Sequence, residues 1–188
     1  MKKLKLSRHL LIALISVSPA TTAAAQGAIE MTGPTSLSET YDAWTVQCAN
    51  QSQGEKSRRL CQMSQELLQQ KTRQRVLTFA IGMTAEGSKA TLILPFGLLL
   101  SDGVRVQIAE EVVLQGAYRT CLPSGCLAEI EFPKEVVEKF ETAEAASVLM
   151  TANSGQPVKT DISLKGFSSA YRRLVGLAAG VGSEGDDG

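Results

Sequence analysis

Residues Tyr118–Ile130 read YRTCLPSGCLAEI, two strand-like runs joined by the turn signal LPSG, with a cysteine on either side of the turn. Proline and glycine at those positions favour a tight reversal. The stretch therefore predicts strands over 117–121 and 126–132, with Cys121 and Cys126 at the mouth of the turn. Such a pair serves as a disulfide staple, a redox centre or part of a metal clamp, and the compartment of the protein decides among them.

The N-terminus bears on the compartment. Lys2, Lys3, Lys5 and Arg8 precede the apolar run LLIALISV (10–17), followed by Pro19 and the small residues ATTAAA. A basic start, a short apolar centre and an A-x-A-like end predict a secretory signal peptide over 1–25, too short to span a bilayer, with the mature chain starting at Gln26. No cysteine follows the cleavage position, so no lipid anchor is expected. The whole sequence holds 19 basic and 19 acidic residues, and loss of those four cations leaves 15 against 19. A mildly acidic chain argues against nucleic acid or anionic lipid as a general partner.

Cleavage has a second consequence. The sole histidine, His9, lies inside the signal segment. A mature chain without imidazole has no Ser-His-Asp triad, Cys-His pair, histidine base or His-ligated zinc. Carboxylate-pair chemistry, a serine-lysine arrangement and an all-thiolate metal site remain open.

Four cysteines, Cys48, Cys61, Cys121 and Cys126, in an exported chain give the arithmetic of two disulfides. Three pairings are possible, and proximity favours Cys48 with Cys61 and Cys121 with Cys126. A thioredoxin-type centre would need C-x-x-C at a helix start. A four-cysteine zinc site would repeat a short knuckle, which the gap between Cys48 and Cys61 does not supply. No metal and no cofactor is expected.

Beyond the hairpin, period-two alternation predicts strands over 41–48, 59–67, 76–83, 90–94, 104–108, 147–152 and 158–164. Helices are predicted after Pro133 (KEVVEKFETA) and over 168–175, where Phe167, Ala170, Tyr171, Leu174 and Val175 make an apolar stripe. The fold class is mainly β, an antiparallel β-sandwich or barrel with two short helices. Residues 26–40 read as a flexible N-terminal segment, 41–176 as the domain, and 177–188 as a mobile glycine-rich acidic tail. LILPFGLLL (92–100) reads as core strand, tight turn and core strand, with exposure of Phe96 and Leu98 as the alternative.

Taken in order, WTVQC, RLCQMSQ, LILPFGLLLSDGV, YRTCLPSGCLAEI and DISLKGFSSAYRRL resemble the invasion-associated locus B proteins of Gram-negative bacteria, over roughly residues 41–175. That resemblance implies a small exported β-rich domain, periplasmic or associated with the outer membrane, and in host-associated relatives linked to host-cell entry. It implies no enzymatic activity.

The densest charge is Lys56, Arg58, Arg59, Lys71, Arg73 and Arg75. If 59–67 and 76–83 form a hairpin, some of these gather into a candidate patch for an anionic partner; otherwise they are solvated strand guards. Arg172 and Arg173 suit a helix C-terminus. Glu110–Glu111 and Glu129 with Glu131 are candidate carboxylate pairs, the latter on one strand face, although alternate acids also mark a wet sheet face. Trp44 reads as core. The spaced glycines of 176–182 lack the strand-then-helix setting of a nucleotide loop.

The expected function is an exported, non-enzymatic module. Its expected partner is an envelope or host-surface protein or an anionic glycolipid, without nucleic acid and without a transmembrane segment in the mature chain. The alternative is an envelope hydrolase using a carboxylate pair.

Overall fold

The computed structural model describes residues 36–53 and 56–182, with the backbone alone for 52–53, 56–58 and 180–182. The expected signal segment 1–25, residues 26–35, residues 54–55 and residues 183–188 of the expected tail lie outside the described residues. Eleven strands and two helices follow one another: β1 Ser36–Tyr41, β2 Trp44–Gln53, β3 Lys56–Leu68, β4 Arg75–Thr84, β5 Gly87–Leu94, β6 Val104–Ile108, β7 Glu111–Gly116, β8 Tyr118–Leu122, β9 Gly125–Glu131, α1 Lys134–Thr142, β10 Ala145–Thr151, β11 Pro157–Ser163 and α2 Phe167–Gly182.

The strands form two open sheets, one of seven in the order β1-β2-β3-β4-β5-β9-β8 and one of four in the order β11-β10-β6-β7. All pairings are antiparallel. The expectation of a sandwich or barrel resolves to unclosed sheets.

Alternation decides what lies between the layers. Leu77, Phe79 and Ile81 of β4, Ala90, Leu92 and Leu94 of β5, and Val104 and Val106 of β6 are all buried. So are Val136, Val137 and Phe140 of α1, the face its spacing predicts. Trp44, Phe79, Phe132, Phe140 and Phe167 make a continuous aromatic cluster, with centroids 5.4 Å apart for Trp44–Phe167 and 5.0 Å for Phe132–Phe140.

A polar lock joins the two sheets at the end of β11. Buried Gln65 on β3 donates from Nε2 to the Ser163 carbonyl at 2.8 Å and accepts the Ser163 N–H at 3.0 Å on Oε1. The Trp44 indole N–H donates to the same carbonyl at 3.0 Å. Gly166 follows with φ 82°, and a Cβ there would stand 2.1 Å from the Tyr41 carbonyl oxygen. Only glycine lets SLKGF lie this close to the β1–β2 turn.

Four expectations are corrected. Residues 36–40 are not a flexible segment but most of β1, paired along its length with β2. Its alternation is nearly all polar, so it carries no hydrophobic signal. The chain also breaks at Asp42–Ala43, with Asp42 at φ 51°, so the strand expected over 41–48 is two. Strand β7 was unforeseen, because Glu110–Glu111 reads as a charge pair whereas Glu110 belongs to the turn and Glu111 begins the strand. Helix α2 runs to Gly182, because Leu174 and Leu177 continue the apolar face past Gly176. Residues 177–182 are therefore helix, not tail, and Arg172 and Arg173 sit mid-helix.

Arg173 instead grips β1, its Nε and Nη2 donating to the two Glu39 carboxylate oxygens at 2.7 and 2.9 Å. That pairing, then the Tyr41 hydroxyl, holds the Glu39 carboxyl below its ordinary value. A depressed carboxyl contributes stability above its unfolded pKa, lost as pH falls through the folded one. Glu39→Gln should therefore lower the melting temperature at neutral pH, by a margin that shrinks as pH falls through and below the carboxylate range. A margin independent of pH would refute the assignment. Replacing Gln65 with Leu should cost about 1–3 kcal/mol in denaturant unfolding, because the Ser163 N–H loses its acceptor.

Candidate functional site

Direct opposition across the ladders brings the cysteines together. Cys48 faces Cys61 between β2 and β3, and Cys121 faces Cys126 between β8 and β9. Both pairs are disulfides, and no described cysteine is free. Of the three possible connectivities the structure has the local one.

The six candidate cations do not form one patch. The β3–β4 register runs from Gln62 opposite Gly82 to Leu68 opposite Arg75. It places Lys71, Arg73 and Arg75 at the turn joining these strands, whereas Lys56, Arg58 and Arg59 lie at the far end of β3. Nine residues at about 3.3 Å each put roughly 30 Å between the groups. The side chains of Lys56 and Arg58 lie outside the described residues.

The carboxylates are placed with equal clarity. Glu129 and Glu131 share the outward face of β9, as alternation requires, but Glu129 is engaged by Arg119, and Glu131 by Lys89 at 3.1 Å. Glu111 is engaged by Lys139 of α1. A shallow groove of about 670 Å³ lies where the β4–β5 turn, the end of β9 and α1 meet, and five glutamates line it: Glu86, Glu131, Glu135, Glu138 and Glu141. Its floor includes Met83, Phe132 and Tyr171. A carboxyl acting as a general acid needs desolvation; the side chains of Glu131 and Glu138 are 69% and 62% exposed, and Lys134 lies 3.7 Å from Glu138.

The opposite end of the larger sheet has another character. Strand β5 ends at Leu94, opposite Cys126, and Cys126 in turn opposes Cys121. The next row sets Pro95 beside the β8–β9 turn. A Cβ at Gly125, φ 134°, would stand 2.4 Å from the Leu94 carbonyl oxygen, so glycine permits the close seating of that turn. Beyond it Phe96 is 61% exposed, held out by Gly97 at φ 86°, and Leu122 is 47% exposed. The core reading of LILPFGLLL thus holds for Leu92 and Leu94 and fails for Phe96, because the chain leaves the larger sheet there. It pairs instead with the smaller one, Leu99 donating to Thr151 at 2.8 Å. Leu98, named with Phe96 in the alternative reading, is partly buried against the core.

Arg75 ties this end together, its Nη2 donating to the Ser124 carbonyl at 2.9 Å while Nη1 lies 3.5 Å from Glu66. Lys71 and Arg73 are exposed and make no ion pair among the described residues. The sheet end is therefore apolar and cationic at once.

Comparison with known proteins places this architecture. The profile of the invasion associated locus B (IalB) protein family matches residues 44–175. The chain belongs to that family. It is 39% identical over 147 residues to an invasion protein B homolog of Brucella abortus, covering 77% of this chain and 83% of that one. To invasion protein B of Bartonella bacilliformis it is 31% identical over 150 residues, 77% and 78% of the two chains. The crystal structure of invasion associated protein b from Bartonella henselae superposes with a TM-score of 0.67 at 30% identity, covering 76% of this chain and 97% of that one. The resemblance carried by the motifs is confirmed. The five motifs of this IalB domain fall on the polar lock, the two disulfides and the apolar sheet end.

Among the described residues no group of three or more histidine, cysteine or acidic side chains is placed to hold a metal ion, and no helix is long and apolar enough to cross a membrane. Replacing Cys48 and Cys61 together by Ser should lower the unfolding free energy by about 3 kcal/mol, because the unfolded chain regains the freedom of a loop of about 14 residues. Urea titration of the oxidised double variant against the oxidised native chain measures it.

Proposed function

We propose that this IalB-family chain is exported and acts as a non-catalytic binding module of the bacterial envelope, making contact through the apolar, cationic end of its larger sheet. The observation that carries this reading is the placement of Phe96, just past β5, and Leu122, at the end of β8, large exposed apolar side chains at the sheet end that also carries Lys71 and Arg73, which make no ion pair among the described residues. Apolar side chains exposed together on a soluble surface are the usual mark of a contact site.

Further support comes from the signal-like N-terminus, two disulfides suited to an oxidising compartment, and the absence of histidine beyond residue 25. The candidate carboxylates Glu129, Glu131 and Glu111 each stand against a cation. The relatives are named as invasion proteins, which fits a role in contact.

The second reading, an envelope hydrolase, rests on the glutamate-lined groove. Turnover of envelope glycans that is lost in Glu131→Gln would establish it in place of the first.

The test of the proposal has two arms. Cell fractionation should recover from the periplasm a chain beginning at Gln26 with no titratable thiol; a full-length cytoplasmic chain would overturn export. Immobilised mature protein should retain envelope components, and Phe96→Ser with Leu122→Ser should abolish that retention. Equal retention by the double variant would remove the sheet end as the contact surface.

A further inference from the structure

From the chemistry of this same end, whose local charge is opposite to the mildly acidic balance of the whole chain beyond residue 25, we infer that its partner is a bilayer surface carrying anionic headgroup phosphates, an inference that rests on the proposed contact role and goes on to name the ligand. Three observations combine.

The first is geometric. The start of β4 at Arg75, the end of β5 at Leu94 and the β8–β9 turn lie at one end of the larger sheet, where Arg75 donates to the Ser124 carbonyl at 2.9 Å and Phe96 follows the end of β5 by two residues. Strands β5 and β8 are separated only by β9, so Leu122, which ends β8, and Phe96, two residues past β5, belong to the same end of the sheet. On the outward face behind them, Ile93 opposes Leu127, both only partly buried. The apolar surface is thus a rim and the strip adjoining it. Phe96 and Leu122 are exposed rather than enclosed, so the rim suits insertion into a soft apolar layer better than enclosure of a small ligand.

The second is charge. Lys71, Arg73 and Arg75 stand along this rim. The segments 68–75, 95–99 and 122–125 that form the rim hold no acidic residue, and Glu66, farther along β3, is set against Arg75. The glutamate groove lies at the other end of β5 and β9, seven residues and roughly 25 Å away. An interface with apolar groups below and phosphates above matches apolar side chains flanked by cations. A purely apolar partner would leave Lys71 and Arg73 unanswered, and a soluble anion would leave Phe96 and Leu122 in water.

The third is backbone conformation. Arg73 has φ 58°, a left-handed conformation that glycine adopts freely and arginine does not. The β3–β4 turn is closed by Arg73 N–H to the Gln69 carbonyl at 2.9 Å and Gln69 N–H to the Gln74 carbonyl at 2.8 Å. A guanidinium is thereby kept at a turn position where glycine would relax the chain, the pattern of a strained residue held at a site of contact.

The experiment is sedimentation of the mature chain with phosphatidylcholine vesicles, with and without phosphatidylglycerol. Binding is expected to the phosphatidylglycerol vesicles alone and should weaken as sodium chloride is raised. Arg73→Gly, which suits the backbone and should leave the melting temperature unchanged or higher, should weaken partitioning about fivefold. Phe96→Ser should weaken it about tenfold or more, and Lys134→Ser, beside the groove, should leave it unchanged. Inorganic phosphate should not displace the bound protein. Absence of vesicle binding, binding indifferent to Arg73→Gly and Phe96→Ser, or full displacement by phosphate overturns the inference. If vesicles are not bound yet retention of envelope components still needs Phe96 and Leu122, the lipid assignment falls and the contact surface stands with a protein partner. If both readouts ignore those substitutions, both fall.

Discussion

The Ser163 peptide is the point on which the two sheets of this domain depend. It ends β11, where ladder pairing runs out. Its N–H and carbonyl are satisfied by the side chains of Gln65 and Trp44, from two adjacent strands of the other sheet. A buried amide that answers a backbone donor and acceptor together fixes both distance and register, which apolar packing does not. The aromatic cluster and the aliphatic side chains buried with it supply apolar burial between the layers, but apolar packing tolerates sliding. The Gln65–Ser163 pair does not, and Gly166, against Tyr41, seals the same corner.

That corner also explains why the N-terminal strand belongs to the domain. Strand β1 buries little, and its hold comes from its ladder with β2 and from the two-pronged Arg173–Glu39 contact to α2. Helix α2 therefore has two tasks. It inserts Phe167, Ala170 and Leu174 between the layers and reaches round with Arg173 to hold the edge. A mid-helix arginine read from sequence as complementing a helix end turns out to be a tertiary clamp.

The legible parts of the fold were those written in local chemistry. Alternation located nine of the strands, Pro133 marked the start of α1, and an even cysteine count with short spacings gave both disulfides. Strand β1 was not legible, because an edge strand held by backbone bonds and one ion pair has no hydrophobic period. The extent of α2 was hidden because glycines at 176 and 180 mimic a stop signal, while tertiary contact through Leu174 and Leu177 overrides propensity. For the site, sequence reasoning found the cations but not their distribution: length along β3 separates them, and only the pairing register reveals it. Phe96 was read as core because its neighbours are, and the signal that could have found it was PFG itself, a turn that cannot keep an aromatic side chain between sheets while the chain changes layers.

How the domain would make contact follows from how its edges are guarded. Open sheets expose unpaired backbone, and a partner could in principle add a strand. Strand β11, at one margin of the smaller sheet, begins at Pro157 and carries Lys159 and Asp161, while β7 at the other pairs with β6 across a register shift. On the larger sheet β8 has five residues, a register shift beside Arg119 and a disulfide at its end, and β1 is pinned through Glu39. Each edge is thus short, bulged or charged. Large exposed apolar side chains do occur on edge strands, Val112 on β7 and Leu122 on β8, but Leu122 stands at the last residue of its strand, beside the turn where Phe96 also projects. On the proposed contact role, a domain whose margins discourage strand addition would touch with the loops and side chains of that one tip. The Cys121–Cys126 bridge and the Arg75–Ser124 hydrogen bond, both within that tip, keep those loops in place, so contact can be made without the entropic cost of ordering them.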